Sequence, residues 1–194
     1  MKKNGSFLVY VLWNVFIILL ILVSVFAIVK YFYQPIQVEG SSMEPNLYET
    51  DKLLINKVGN KLEYERYDII VFKPYSEDNL VTKEVDESDA LFIKRIIGLP
   101  GETVQIMANG DIFITDKNGK KFLLEDDPAK QDYYYSGIDW VKYDDNMFES
   151  ITLKDDEYFV LGDNRDVSKD SRSSEIEAVN CHCIIGKFLF KMPF

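Results

Sequence analysis

Residues Phe7 to Val29 constrain this chain more than any other stretch, because 23 residues in succession carry no charge and only Asn14 and Ser24 interrupt the apolar run. As a helix the run spans roughly 34 Å, enough to cross a hydrocarbon core of about 30 Å with modest tilt. The pattern predicts a transmembrane helix. A cleavable leader ending at Val25-Phe26-Ala27 is the competing reading, since Lys2 and Lys3 precede the run. The apolar core of such leaders is usually about 7–15 residues, however, and this one is longer. Tyr31, Phe32 and Tyr33 follow Lys30 as an aromatic belt suited to the bilayer surface, so residues 7–33 read as anchor plus belt.

The charges divide along the same line. Lys2, Lys3 and the amino terminus flank one side of the run, whereas after Lys30 no Lys or Arg occurs until Lys52. Basic residues favour the cytoplasmic flank, which puts a tail of residues 1–6 inside the cell membrane and residues 34–194 outside it. All 32 acids follow residue 33 and three of the 22 bases precede it, leaving 19 bases against 32 acids beyond, a charge of −13. So acidic a domain is not built to neutralise phosphate backbones, and nucleic acid is not an expected partner. Two cysteines and one histidine, contiguous as Cys181-His182-Cys183, cannot supply a closed zinc site or a multi-bridge disulfide scaffold. No metal or other cofactor is expected.

Beyond the anchor the pattern changes to short alternating runs bounded by Gly, Pro, Asn or Asp. These predict strands at Ile36–Val38, Leu53–Asn56, Asp68–Phe72, Ala90–Ile97, Thr103–Ile106, Ile112–Thr115, Tyr158–Leu161 and Ile184–Phe190. Asn109-Gly110 and Asn118-Gly119 are hairpin-turn dipeptides. The domain should be mainly β. Residues 122–150 break the rhythm with Asp126-Asp127-Pro128, Tyr133-Tyr134-Tyr135 and Trp140, and read as an inserted segment. His182 reads as a surface or half-buried strand residue, with Cys181 and Cys183 as free thiols on one strand face, where a bridge would be strained.

Chemistry must then come from hydroxyls, lysines and carboxylates. Ser42 lies in Gly40-Ser41-Ser42-Met43-Glu44-Pro45, where Gly40 permits unusual backbone angles and Pro45 pushes Glu44 away from helix, setting Ser42 on a non-helical turn. By itself this could be an ordinary turn serine. Lys94 lies within Phe92-Ile93-Lys94-Arg95-Ile96-Ile97-Gly98, and strand alternation gives it the same face as Phe92 and Ile96. A desolvated lysine there would have a lowered pKa and could serve as a general base, unless its head snorkels to water. Arg95 stays protonated and is better cast as an ion-pair partner. Gly162 to Arg172 is dense in turn formers and charges and reads as a rigid loop; its spacing lacks the order of a calcium loop.

Together these clusters resemble the type I signal peptidases, the peptidase S26 family of membrane-anchored Ser-Lys serine proteases, in a single-pass Gram-positive-like form. The resemblance rests on the Ser-Met-x-Pro box at Ser42 to Pro45 and the Arg-x-Asp-Ile-x-Val-Phe strand at Arg66 to Phe72. It rests equally on Lys-Arg-Ile-Ile-Gly-Leu-Pro-Gly at Lys94 to Gly101 and Gly-Asp-Asn-Arg-x-x-Ser-x-Asp-Ser-Arg at Gly162 to Arg172. It implies a signal-peptidase-type fold of antiparallel sheets. It also implies that Ser42 is the nucleophile, Lys94 its base, Ser168 the group orienting the lysine, and Asp170 with Arg172 a structural ion pair. Asp163, Asn164 and Arg165 would form the turn carrying that site.

The Ser42 backbone N–H would be the first oxyanion donor. Some members place a serine hydroxyl two positions before the nucleophile; here that position is Gly40, so a second donor there would be backbone or water. Other departures are Asn46 and Thr50 where Thr and Gly are usual, Tyr67 for a frequent Gly, and Glu175 for a usual Gly. They suggest a divergent member with a narrow substrate set. The implied function is removal of signal peptides from secreted or surface preproteins after small residues at −1 and −3, beside the export machinery. Ile36, Val38, Phe92 and Ile93 would wall the substrate pockets. The alternatives are a cytoplasm-facing relative of the self-cleaving repressors, and a non-catalytic membrane-anchored chaperone or assembly factor for an exported surface protein.

Overall fold

The structure is a computed structural model that describes residues 4–57, 64–73, 91–107, 110–125, 150–174 and 176–193, with side chains from Phe7 onward. Helix α1 runs from Asn4 to Phe32, and Phe7–Phe32 has a mean hydropathy of 2.9 with no part of that window buried against protein. A helix apolar all round and uncovered by protein fits membrane anchoring. Its last carbonyl, on Phe32, accepts a hydrogen bond from the Lys57 N–H at 2.7 Å, which ties the helix end to the strands that follow.

The remainder is mainly β and antiparallel. The strands are β1 Tyr33–Gln37, β2 Lys52–Asn56, β3 Ile69–Phe72, β4 Phe92–Gly98, β5 Thr103–Ile106, β6 Ile112–Thr115, β7 Lys121–Leu123, β8 Ile151–Thr152, β9 Glu157–Leu161, β10 Val179–Asn180 and β11 Ile184–Lys191. A seven-stranded sheet has the order β1-β2-β11-β3-β4-β9-β10, and a four-stranded sheet the order β7-β6-β5-β8. Strand β1 lies at a sheet edge, the position that tolerates Pro35, which stands opposite Leu54. Turns at Gly110 and Gly119, both with positive φ, close the β5–β6 and β6–β7 hairpins.

Strand β3 is buried on both faces, so its residues divide by parity. Ile69 and Val71 join Val38, Met43, Leu47, Leu53, Ile55 and Ile93 on one side, and Ile70 and Phe72 join Ile96, Tyr158 and Val160 on the other. A third cluster, from Ile97, Val104, Ile114, Leu153, Phe159 and Leu161, joins the two sheets. Gly98 sits at that junction, where a Cβ would come within 2.5 Å of Val104 and 2.9 Å of Phe159. Strand β4 thus lies between β3 and β9 and touches all three clusters.

Several elements differ from the sequence expectation. The first strand begins at Tyr33, which the sequence places in an aromatic belt after the helix and which instead pairs with Asn56 in the sheet. Strands β7, β8 and β10, of two or three residues each, are additions. His182 is not on a strand: Cys181–Cys183 forms a single 3-10 turn whose N-cap, Asn180, accepts from the His182 N–H at 2.9 Å, and His182 is exposed. Among the described residues neither cysteine forms a disulfide, and both are partly buried, packed against the cluster around Tyr158. Ala90, Asn109 and most of the 122–150 segment, from 126 to 149, lie outside the described residues.

Two departures from the signal-peptidase pattern fall on left-handed backbone. Thr50 has φ 74° and Tyr67 φ 73°, a region where a non-glycine residue costs energy and a β-branched one most. Thr50 is exposed and its N–H donates to Val38 O at 3.0 Å, so glycine there would keep the bond and shed the strain. Thr50→Gly should raise the unfolding free energy by roughly 1 kcal/mol in a urea titration, and a lowered midpoint would show that the threonine is relaxed.

Candidate active site

Ser42 sits on the turn between β1 and β2, and its neighbours hold the turn down. Met43 and Leu47 are 1% and 4% exposed in the cluster with Val71 and Ile93. Met43 O accepts from the Asn46 and Leu47 N–H groups at 3.0 and 2.9 Å, and Ser41 O from the Glu44 N–H at 3.1 Å; the Glu44–Pro45 peptide is cis. Gly40 stands just before with φ 76° and open space where a side chain would be. The Ser-Met-x-Pro box therefore works as a buried methionine anchor beside a half-exposed hydroxyl.

Lys94 is in β4, opposite Ile70, and is 3% exposed. Its Nζ donates to Ser42 Oγ at 2.8 Å and to Ile93 O at 2.9 Å, and lies 5.6 Å from the centre of the Phe92 ring. Burial pushes its pKa down from 10.5 to about 8, against the pull of the negative charges on Asp170 and Asp163. The sequence reading put a cation on an apolar strand face; the structure adds that it meets the serine 52 residues away.

The loop Gly162–Arg172 forms the back of the site. Asp170 is fully buried and accepts from the Gly162 N–H at 2.9 Å and from Arg172 Nε and Nη2 at 2.7 and 2.9 Å. Arg172 Nη2 also donates to Arg165 O at 2.7 Å, and Arg165 Nε to Gly162 O at 3.0 Å. Gly162 has no room for a side chain, because a Cβ would lie 2.1 Å from Ser168 Oγ and 2.5 Å from Ser42 O. Ser168 is 7% exposed and its Oγ lies against Gly162, but among the described residues that oxygen has no hydrogen-bond partner. The bonds made by Lys94 Nζ to Ser42 and Ile93 thus do not extend to Ser168.

Of the expected pocket walls, Ile36, Val38 and Ile93 come together in the cluster that holds Met43. Phe92 packs against a different cluster and turns its ring towards the Lys94 amine. Three contacts were not legible beforehand. Arg95 Nε and Nη2 make a bidentate pair with Asp163 Oδ1 and Oδ2 at 2.7 and 2.6 Å. Asn46 Nδ2 donates to the same Asp163 Oδ2 at 2.8 Å, which explains what an asparagine does at this divergent position. The Asn164 N–H donates to Ser42 O at 3.0 Å and its Nδ2 to Ser41 O at 3.1 Å. Each joins residues more than 60 positions apart, and the available signal was the density of polar turn residues in the last box.

A buried amine hydrogen-bonded to a serine hydroxyl is an arrangement for nucleophilic catalysis without histidine. A family profile described as signal peptidase, peptidase S26, matches residues 10–192. The chain belongs to the signal peptidase family, peptidase S26. It is 32% identical to signal peptidase I P of Bacillus subtilis subsp. natto over 157 residues, which cover 80% of this chain and 75% of that one. It is 35% identical to signal peptidase I S of Bacillus subtilis (strain 168) over 153 residues, 74% of this chain and 68% of the relative. Signal peptidase IB of Staphylococcus aureus (strain COL) is 32% identical over 182 residues, 89% of this chain and 84% of the relative. A crystal structure of a signal peptidase I from Enterococcus faecalis V583 aligns at 26% identity over 65% of this chain and 97% of that one, with a TM-score of 0.38. Family membership rests on the sequence matches, which make this chain a divergent signal peptidase and a protease.

Proposed function

We propose that this signal peptidase is a membrane-bound serine endopeptidase that uses a Ser42–Lys94 dyad to remove signal peptides from exported preproteins. The supporting observation is the 2.8 Å contact between Lys94 Nζ and Ser42 Oγ, made by a lysine that is 3% exposed. With the amine neutral, the Ser42 hydroxyl donates to it. As Oγ attacks the carbonyl at the end of the signal peptide, the proton passes to Nζ and the carbonyl electron pair moves to oxygen, where the Ser42 N–H stabilises it. The tetrahedral intermediate collapses, the C–N bond breaks, and Lys94 delivers the proton to the departing amine. The acyl-enzyme is hydrolysed by water that Lys94 deprotonates in turn. Ser168 joins the amine through its unpaired hydroxyl as the charge changes, and Asp170 with Arg172 holds the loop that carries Ser168.

The substrate lies extended beside Gln37 to Ser41 and Leu91 to Ile93, adding a strand, so that its small −1 and −3 residues point to one face towards Ile36, Val38 and Ile93. The basic tail is cytoplasmic and residues 34–194 are extracytoplasmic. Because β1 starts where α1 ends, Ser42 stands close to the bilayer surface at which signal peptides emerge. The substituted positions Asn46, Thr50 and Tyr67 fit a member with a narrow substrate set.

The test is a cleavage assay in detergent or liposomes on preproteins with Ala at −1 and −3. Ser42→Ala should cut turnover by at least about 10⁴-fold with an unchanged circular dichroism spectrum. Full turnover by that variant would remove Ser42 as nucleophile, and a folded wild type inactive on every preprotein would favour an assembly factor.

A further inference from the structure

We propose that Asn164 is a positioning residue that aims the Ser42 N–H at the oxyanion. This rests on the dyad reading above and adds to it the group that fixes the donor's direction. The Ser41–Ser42 peptide is trans, the described cis bond being at Glu44–Pro45. In a planar trans peptide the C=O and the following N–H point in opposite directions. Asn164 Nδ2 holds Ser41 O at 3.1 Å, so the Ser42 N–H is turned away from the Gly162–Arg172 loop. The Asn164 N–H holds Ser42 O at 3.0 Å, fixing the next peptide from the same side. Ser41 O also accepts from the Glu44 N–H at 3.1 Å, so Asn164 and the turn itself together hold both flanking carbonyls and keep the Ser42 N–H from swinging. Among the described residues none accepts a hydrogen bond from it, which leaves the donor for a ligand.

Asn164 is itself fixed, because its carbonyl accepts from the Ser168 N–H at 3.0 Å and the Val167 N–H at 3.3 Å. The same residue therefore connects the backbone of the nucleophile to the backbone of Ser168. Gly40 has no side chain with which to hold a carbonyl, and a Cβ there would meet nothing within 4 Å. The side-chain bond to Ser41 is the part a substitution can remove: the three main-chain bonds of Asn164 survive in Asn164→Ala.

The test compares a short peptide aldehyde ending Ala-x-Ala with the corresponding alcohol. Ser42 Oγ can add to the aldehyde carbon, its proton passing to Lys94 and the carbonyl electron pair to oxygen, whereas the alcohol binds without an oxyanion. In the wild type the aldehyde should bind at least about 100-fold tighter than the alcohol. Asn164→Ala should reduce that ratio and kcat by the same factor, about 10- to 100-fold, with KM, alcohol affinity and the pH midpoint of activity unchanged. An unchanged ratio, or a loss of kcat accompanied by a shifted pH midpoint, would overturn the proposal. If Asn164→Ala does not fold, Asn164→Leu, similar in shape and unable to donate, decides by the same ratio. Equal binding of aldehyde and alcohol to the wild type would instead remove the dyad reading on which this depends.

Discussion

Lys94→Met should lose at least about 10⁴-fold in turnover and yet unfold at a higher temperature than the wild type at pH 7. The loss follows from removing the base that accepts the Ser42 proton. The gain follows from the cost of burial. Unfolded, the lysine has its ordinary pKa of 10.5; folded, burial lowers it to about 8. Below about pH 8 the side chain is charged in both states, and the folded state bears the whole desolvation cost. Between about pH 8 and 10.5 the folded state has shed the proton and the unfolded state has not, so wild-type stability rises with pH across that window. Methionine has nearly the same length and no charge. It should stabilise the protein by about 1–3 kcal/mol at pH 7, and the rise in stability above pH 8 should disappear. A melting series from pH 6 to 10 checks both, and a variant less stable than wild type at pH 7 would mean that the amine's two hydrogen bonds outweigh its burial.

Asp163→Ala should be strongly destabilising. Asp163 and Arg95 are 0% and 9% exposed at their side chains and share two hydrogen bonds, so removing the carboxylate leaves a guanidinium buried without its counter-ion. Breaking such a pair costs about 3–5 kcal/mol, which lowers Tm by roughly 10 °C in a chain of this size. Arg95 retains its bond to Tyr67 O at 2.9 Å and Asn46 loses its acceptor. Removing both charges as Arg95→Met with Asp163→Leu should recover much of the loss, because the unpaired charge is gone. A double-mutant cycle in calorimetry measures the coupling, and additive single effects would show that the pair contributes no mutual stabilisation. Any active Asp163 variant should also have its pH–activity midpoint displaced downward, since an anion that raises the Lys94 pKa is lost.

How far the sequence disclosed this molecule depended on the range of each signal. The long apolar helix was legible because 23 uncharged residues in succession need no partner to define it, and β2, β5 and β6 because alternation over four or five residues suffices to set a strand. Lys94 was legible for the opposite reason, as a cation where the pattern called for an apolar residue. Strands β7, β8 and β10 were not, since two or three residues carry no period and pair only because a neighbour presents an edge. His182 was assigned to a strand that begins two residues later, the Asn180 cap having turned the chain first. The contacts of Asp163 with Arg95 and Asn46, and of Asn164 with Ser41, join segments 68 to 123 residues apart, and polar side chains carry no periodicity that would pair them. Thr50 and Tyr67 stand where glycine is usual in the family pattern, and their φ angles identify them as sites of strain.

The most direct test of Lys94 as the base is the pH dependence of kcat/KM for the wild type on a preprotein with Ala at −1 and −3, from about pH 6 to 10. The neutral amine is the active form, so the rate should climb as the lysine deprotonates, with a half-point near its pKa of about 8, and level off above it. A flat profile, or a half-point at the ordinary histidine value of about 6.5, would contradict a lysine base.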